Sequence, residues 1–241
     1  MDSIFLYAFL AGLGLVTSFI TATIGMGGGI LLLAALPNVL PANVLIPVHG
    51  AVQLSSNLSR FLFDMKDVCT KPLLHFFIGS LIGSYFGSLL FDEVDFELIP
   101  LIMSIFILTV VWLPVSNIIN VIPGRYLSLG IIQTALALYV GATGPLSTSV
   151  LFKDGYNSNE VIVTNAAINT IINISKIIVF SVLGFVFHDY IIHIVVMSIS
   201  AVLGSYLGAA IRLRIDVDLG KKILMTLISI LCVKNIVTYF V

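Results

Sequence analysis

Charge is scarce in this 241-residue sequence: Asp, Glu, Lys and Arg together make up only 10% of it. A soluble domain carries about 25%, so a chain that is 59% hydrophobic cannot cover a water-facing surface with polar groups. Cysteine is scarce as well. Cys69 and Cys232 are too far apart in sequence to suggest a disulfide framework or a metal site. No HExxH, Cys–His cluster or P-loop is present, and GMGGG at 25–29 fails the GxGxxG fingerprint because no βαβ unit surrounds it. These absences disfavour a membrane enzyme and imply no cofactor and no metal. A formal net charge of −1 gives no reason to expect a nucleic-acid partner.

Apolar runs are plentiful. Stretches of roughly 20 residues, enough to cross a hydrocarbon core about 30 Å thick, recur along the whole length. The expected fold class is an all-α polytopic membrane protein with lipid as its solvent. Residues 4–24 resemble a signal peptide in hydropathy, but Met1-Asp2-Ser3 lacks the basic flank of one. They are read as the first membrane helix.

The second half echoes the first. With a shift of 116, Gly25-Met26-Gly27-Gly28-Gly29 lies on Gly141-Ala142-Thr143-Gly144-Pro145. The same shift pairs Asn43 with Asn159, Gln53 with Asn169, Asn57 with Asn173, and Arg60 with Lys176. After a five-residue insertion, GSYFG at 83–87 meets GSYLG at 204–208. The series in order argues for duplication within one transmembrane domain, 1–241, with a first repeat at 1–118 and a second at 123–241. Each repeat reads as five hydrophobic segments: 4–24, 28–41, 44–63, 72–91 and 97–115, then 124–142, 145–153, 160–183, 189–210 and 222–240. The second of each set is short, which suits a half-helix or re-entrant piece held inside protein.

Five segments per repeat inverts the second copy relative to the first. Starting from an outside N-terminus, the inside loops are 64–71, 116–124, 153–159 and 211–221. Nine of the eleven basic residues lie in or beside them: Arg60, Lys66, Lys71, Arg125, Lys153, Arg212, Arg214, Lys221 and Lys222. The outside loops hold Asp92, Glu93, Asp95 and Glu97, and His188 with Asp189. This asymmetry follows the positive-inside rule and places both termini outside. Inverted repeats with interrupted helices typify secondary transporters, whose sites lie where the repeats meet.

Polar residues concentrate on the third segment of each repeat. His49, Gln53, Asn57 and Arg60 fall at i, i+4, i+8 and i+11, on one helix face, and Asn165, Asn169, Asn173 and Lys176 repeat that spacing. Such groups often serve only to join helices, each worth about 1 kcal/mol or less. Two matched stripes favour a lined pathway. Arg60, near its helix end, also has the option of snorkelling to lipid headgroups, whereas Lys176 lies deeper and is the strongest single site candidate. Lys234 is read as interfacial or packing. No acidic residue falls in the interior of a predicted helix, which favours an anionic substrate. Gly25, Gly27, Gly28 and Gly29, and Gly141, Thr143 and Gly144 with Ser147 beyond, lead into the short helices, whose N-terminal N–H groups and dipole suit an anion. The competing role for these glycines is close helix packing, which is the role expected of GSYFG and GSYLG.

The glycine-rich stretch Gly25–Gly29 running into ILLLAALP with Pro37, then a polar third helix and a diverged second copy, resembles the sulfite exporter TauE/SafE family of membrane permeases over essentially the whole chain. The resemblance implies transport of small, often sulfur-containing anions such as sulfite or organosulfonates across a prokaryotic plasma membrane. The expected partners are therefore a small anionic substrate and membrane lipid. Any gradient coupling is expected to be to protons, with His49 the candidate because an unperturbed imidazole titrates near physiological pH. An anion channel on the same architecture, a cation or metal transporter and a non-transporting membrane protein are the alternatives. A cation or metal transporter needs intramembrane carboxylates, which the predicted helices lack.

Overall fold

Where no water reaches the backbone, each N–H and C=O must find its partner within its own segment, so an apolar chain orders itself as helices. The computed structural model describes residues 3–89, 95–113, 124–211 and 217–240, with ten α-helices and no strand among them. They are α1 (Ser3–Ile24), α2 (Gly28–Ala35), α3 (Leu45–Phe63), α4 (Thr70–Leu89), α5 (Ile99–Trp112), α6 (Arg125–Val140), α7 (Gly144–Lys153), α8 (Ser158–Val182), α9 (Ile191–Ile211) and α10 (Val217–Phe240). Five segments are long and apolar enough to cross a membrane: α1, α4, α8, α10, and α9 together with the 3-10 turn before it. The polar stripe of α3 keeps it out of that set.

The outward surface is apolar, while the interior combines an apolar core with a set of buried polar side chains. Leu74, Phe77, Leu81 and Tyr85 of α4 are exposed, as are Ile192, Val195, Ile199 and Leu203 of α9. His49, Gln53, Asn57, Arg60, Asn165, Asn173 and Lys176 are all buried. Of these five spans, α8 is the one mostly enclosed, and it packs against α3 at the centre.

The helix pairs are exchanged between the halves. α1 packs along α9, and α4 along α6; α3 also meets α9, and α8 meets α4. Glycine makes both long pairs possible. A Cβ on Gly204 would lie 2.2 Å from the Leu15 carbonyl oxygen, and one on Gly83 would lie 2.2 Å from that of Ile131. Both GSYxG glycines are thus packing contacts, as expected. Hydroxyls tie the same triplets together: Ser56 of α3 meets Ser18 of α1 at 2.9 Å and Ser205 of α9 at 3.4 Å. In the other half, Ser80 of α4 meets Ser175 of α8 at 3.1 Å and Thr134 of α6 at 3.0 Å.

Several expected boundaries move. The segment 28–41 is not one helix: α2 ends at Ala35, and Leu36–Asn38 tightens into a 3-10 turn around Pro37. α8 starts two residues before its apolar run because Asn157 and Glu160 form a capping box. α10 begins at Val217 rather than 222, since lysines such as Lys221 and Lys222 propagate a helix as well as apolar residues do. Within the predicted loops, Asp92, Glu93, Arg212, Arg214 and residues 114–123 lie outside the described residues.

Candidate functional site

At 1.5 Å per residue the eight residues of α2 and ten of α7 extend about 12 and 15 Å, roughly half the hydrocarbon core. Neither crosses it, and the first turn of each lies largely buried in the protein. Gly27 starts α2 with φ of 91°, and Gly141 turns the chain after α6 with φ of 74°, conformations that favour glycine. Neither α2 nor α7 has a side-chain cap, so their first-turn N–H groups have no side-chain partner.

These two starts and the two polar stripes enclose one cavity of about 50 Å³, where a single water needs about 10–15 Å³. α3 contributes His49, Gln53, Asn57 and Arg60; α8 contributes Asn165, Asn169, Asn173 and Ile172. Gly27, Gly29 and Ile30 come from the start of α2, and Gly141 to Pro145 from the turn into α7. Thr21 and Met26 complete the lining. Each half supplies nine residues, so neither forms the site alone. A Cβ on Gly29 would lie 3.1 Å from Gln53 Oε1, and one on Gly144 would lie 3.2 Å from Asn169 Oδ1. Glycine lets each amide side chain lie against the start of the short helix.

The hydrogen bonds determine what the cavity offers. Gln53 Oε1 accepts from Asn57 Nδ2 at 3.4 Å. Asn165 Oδ1 accepts from Ser147 Oγ at 2.6 Å and from Asn169 Nδ2 at 3.0 Å. Asn173 Oδ1 accepts from Lys176 Nζ at 3.5 Å. In all three amides the oxygen is engaged, while the NH₂ has no hydrogen-bond partner among the described residues. Asn57 Oδ1 accepts from Arg60. Asn57 and Asn169 are the exceptions, since their NH₂ groups are used on the Gln53 and Asn165 carbonyls at 2.7 and 2.8 Å. No carboxylate lines the cavity among the described residues. The lining is rich in donors and poor in acceptors, which suits an anion.

Lys176 is fully buried and does not line the cavity. It sits behind the cavity, its stem against Gly50 of α3, where a Cβ would lie 3.1 Å from Cε. Nζ donates to the Gly141 carbonyl at 2.9 Å and to His49 Nδ1 at 3.4 Å. With Nδ1 accepting, the proton of His49 lies on Nε2, which donates to the Gly29 carbonyl at 2.9 Å. One continuous link therefore joins the two glycine-rich stretches, Gly141–Lys176–His49–Gly29. Of the other expected residues, Gly25, Gly28 and Ser147 also lie off the cavity. Gly25 has φ of 91° and faces Ile162. Gly28 is a packing contact, its Cβ position 1.8 Å from the Thr17 carbonyl oxygen. Ser147 holds Asn165.

Gln133 is a residue that the repeat pattern misses. Its Nε2 donates to the Thr143 carbonyl at 3.0 Å and to Ser147 Oγ at 3.0 Å, so it fixes the turn into α7 and, through Ser147, the pose of Asn165. The available signal was an amide in the middle of an otherwise apolar helix. Lys234 donates to Asn38, and Asn235 Nδ2 to the Ala34 carbonyl at 3.0 Å, so both pin the end of α2.

Fold and site together define a polytopic helical membrane protein with a central, anion-compatible cavity between its halves. The sequence model of the sulfite exporter TauE/SafE family matches residues 10–235, and the chain belongs to that family of membrane transporters. No curated protein and no solved structure gives a significant match.

Proposed function

We propose that the protein is a secondary transporter of small, sulfur-containing anions such as sulfite or organosulfonates, working by alternating access in the prokaryotic plasma membrane. One observation carries the reading: among the described residues, Gln53, Asn165 and Asn173 each have the amide oxygen engaged and the NH₂ unpartnered at a cavity without carboxylates. The anion accepts from these NH₂ groups and from the first-turn N–H groups of α2 and α7, with Arg60 and, from behind, Lys176 supplying positive charge. The exchanged pairing of α1 with α9 and α4 with α6 supports two inverted repeats, 1–118 and 123–241, that rock about the shared cavity. His49, bonded to both Lys176 and the start of α2, is the candidate for proton coupling.

The test is uptake into liposomes of the purified protein, with labelled sulfite, sulfate and a sulfonate, with and without a pH gradient. Saturable flux of sulfite or the sulfonate, accelerated by one sign of the gradient, is the expected result. No flux of any anion in either direction refutes the proposal.

A further inference from the structure

The polar cavity does not end at its donors. A second cavity of about 90 Å³ adjoins it, and Met26, Gly27, Ile30 and Pro145 line both. Beyond those shared residues the walls are Val110 and Val111 of α5 with Leu224 and Ile228 of α10. On α10 the lining positions 221, 224, 225 and 228 follow one helical stripe. Among the described residues Lys221 supplies the one charged side chain in this lining, a cation.

We propose that this apolar annex binds a short hydrocarbon substituent on the transported anion, so that the protein prefers organic anions with an apolar tail to inorganic oxyanions. The inference rests on the anion-transport reading above and names the substrate class of that site. An oxyanion placed in the annex loses its hydration and meets no amide side chain among the described lining residues, so the charged head stays among Gln53, Asn165 and Asn173. A methylene group has the opposite preference and gains about fourfold in affinity when buried. The two compartments meet at Met26, Gly27, Ile30 and Pro145, which line both, and on this proposal one small molecule places its head at the helix starts and its tail between α5 and α10. The positive charge of Lys221 means that the annex does not repel the anion that carries the tail.

The experiment measures competition against labelled sulfite in proteoliposomes by sulfite, methanesulfonate, ethanesulfonate, propanesulfonate and butanesulfonate. Direct binding of each to the purified protein is measured alongside. Affinity is expected to rise about fourfold per added carbon until the annex is full, roughly 15-fold from methanesulfonate to propanesulfonate. Val111→Phe, which narrows the annex, should flatten the series. Ile228→Ala, which enlarges it, should move the plateau to a longer chain; either variant alone decides the point if the other does not fold. Sulfite affinity should be unchanged in both. Equal affinities for sulfite and all the sulfonates overturn the proposal and leave anion transport standing. A preference for tails that neither variant alters also overturns it, by removing the annex as its cause. If no anion binds or moves, the transport reading falls and this inference with it.

Discussion

Asn165→Asp isolates the donor character of the cavity better than any truncation. The two side chains have the same shape, and the retained oxygen still accepts from Ser147 Oγ and Asn169 Nδ2, now at 2.6 and 3.0 Å. The helix and its contacts are therefore preserved, and what changes is the unpartnered NH₂. Losing a hydrogen bond to a charged ligand costs about 1.5–3 kcal/mol. A carboxylate about 4 Å from the anion adds about 4 kcal/mol of repulsion at an effective dielectric constant near 20. Since about 1.4 kcal/mol is tenfold, the anion affinity should fall by at least 100-fold, most steeply at high pH where the new group is ionised. Asn165→Leu should weaken binding less directly, because it also releases Ser147 and Asn169. The assay is concentration-dependent sulfite flux in proteoliposomes, with thermal melting of the detergent-purified variant as the folding control. An Asn165→Asp protein that melts normally and transports with affinity within threefold of the wild type would refute the donor-cavity argument.

Three further outcomes follow from the same geometry. Lys176→Met keeps the buried stem but removes the donor to Gly141, His49 and Asn173; at about 1–3 kcal/mol for a stranded buried acceptor, both melting temperature and flux should drop. Wild-type values for both would show the link to be dispensable. Gly83→Val and Gly204→Val each drive a side chain into a backbone carbonyl 2.2 Å from the Cβ position, so neither variant should purify as a monodisperse protein. A normally folded variant would mean that the α4–α6 or α1–α9 pairing is wrong. The Cys69 thiol, in the loop before α4, is pushed above its usual range by burial. A raised value leaves less thiolate at neutral pH, so maleimide labelling at Cys69 should be slow at pH 7 and still be climbing at pH 9, while Cys232, fully buried, stays unlabelled in the folded protein. Fast labelling of Cys69 at pH 7 would contradict that burial.

The polar stripes were legible because helical periodicity is local: four residues at i, i+4, i+8 and i+11 share a face whatever surrounds the helix. The glycine pairs at 83 and 204 were legible as packing positions for a similar reason, each lying in an apolar helix with no charge nearby. The division of labour among the glycines at 25–29 was not. Gly29 lines the cavity and Gly28 meets Thr17 of α1, and adjacent glycines in one run look identical until α1 is placed against them. The repeat shift pairs Gln133 with Thr17 rather than with another amide, and its importance comes from Thr143 and Ser147 reaching it across the turn.

The sequence by itself determined that this chain lives in lipid, that it is helical, and which two helices carry the polar groups. Hydropathy and periodicity act along the chain, so these properties need no knowledge of what packs on what. Only the tertiary structure decided that Lys176 stands behind the cavity rather than in it, linking Gly141 to His49 and through it to Gly29. That arrangement depends on how closely α8 approaches Gly50 of α3, and such an approach is a property of two helices together, not of either one's residues.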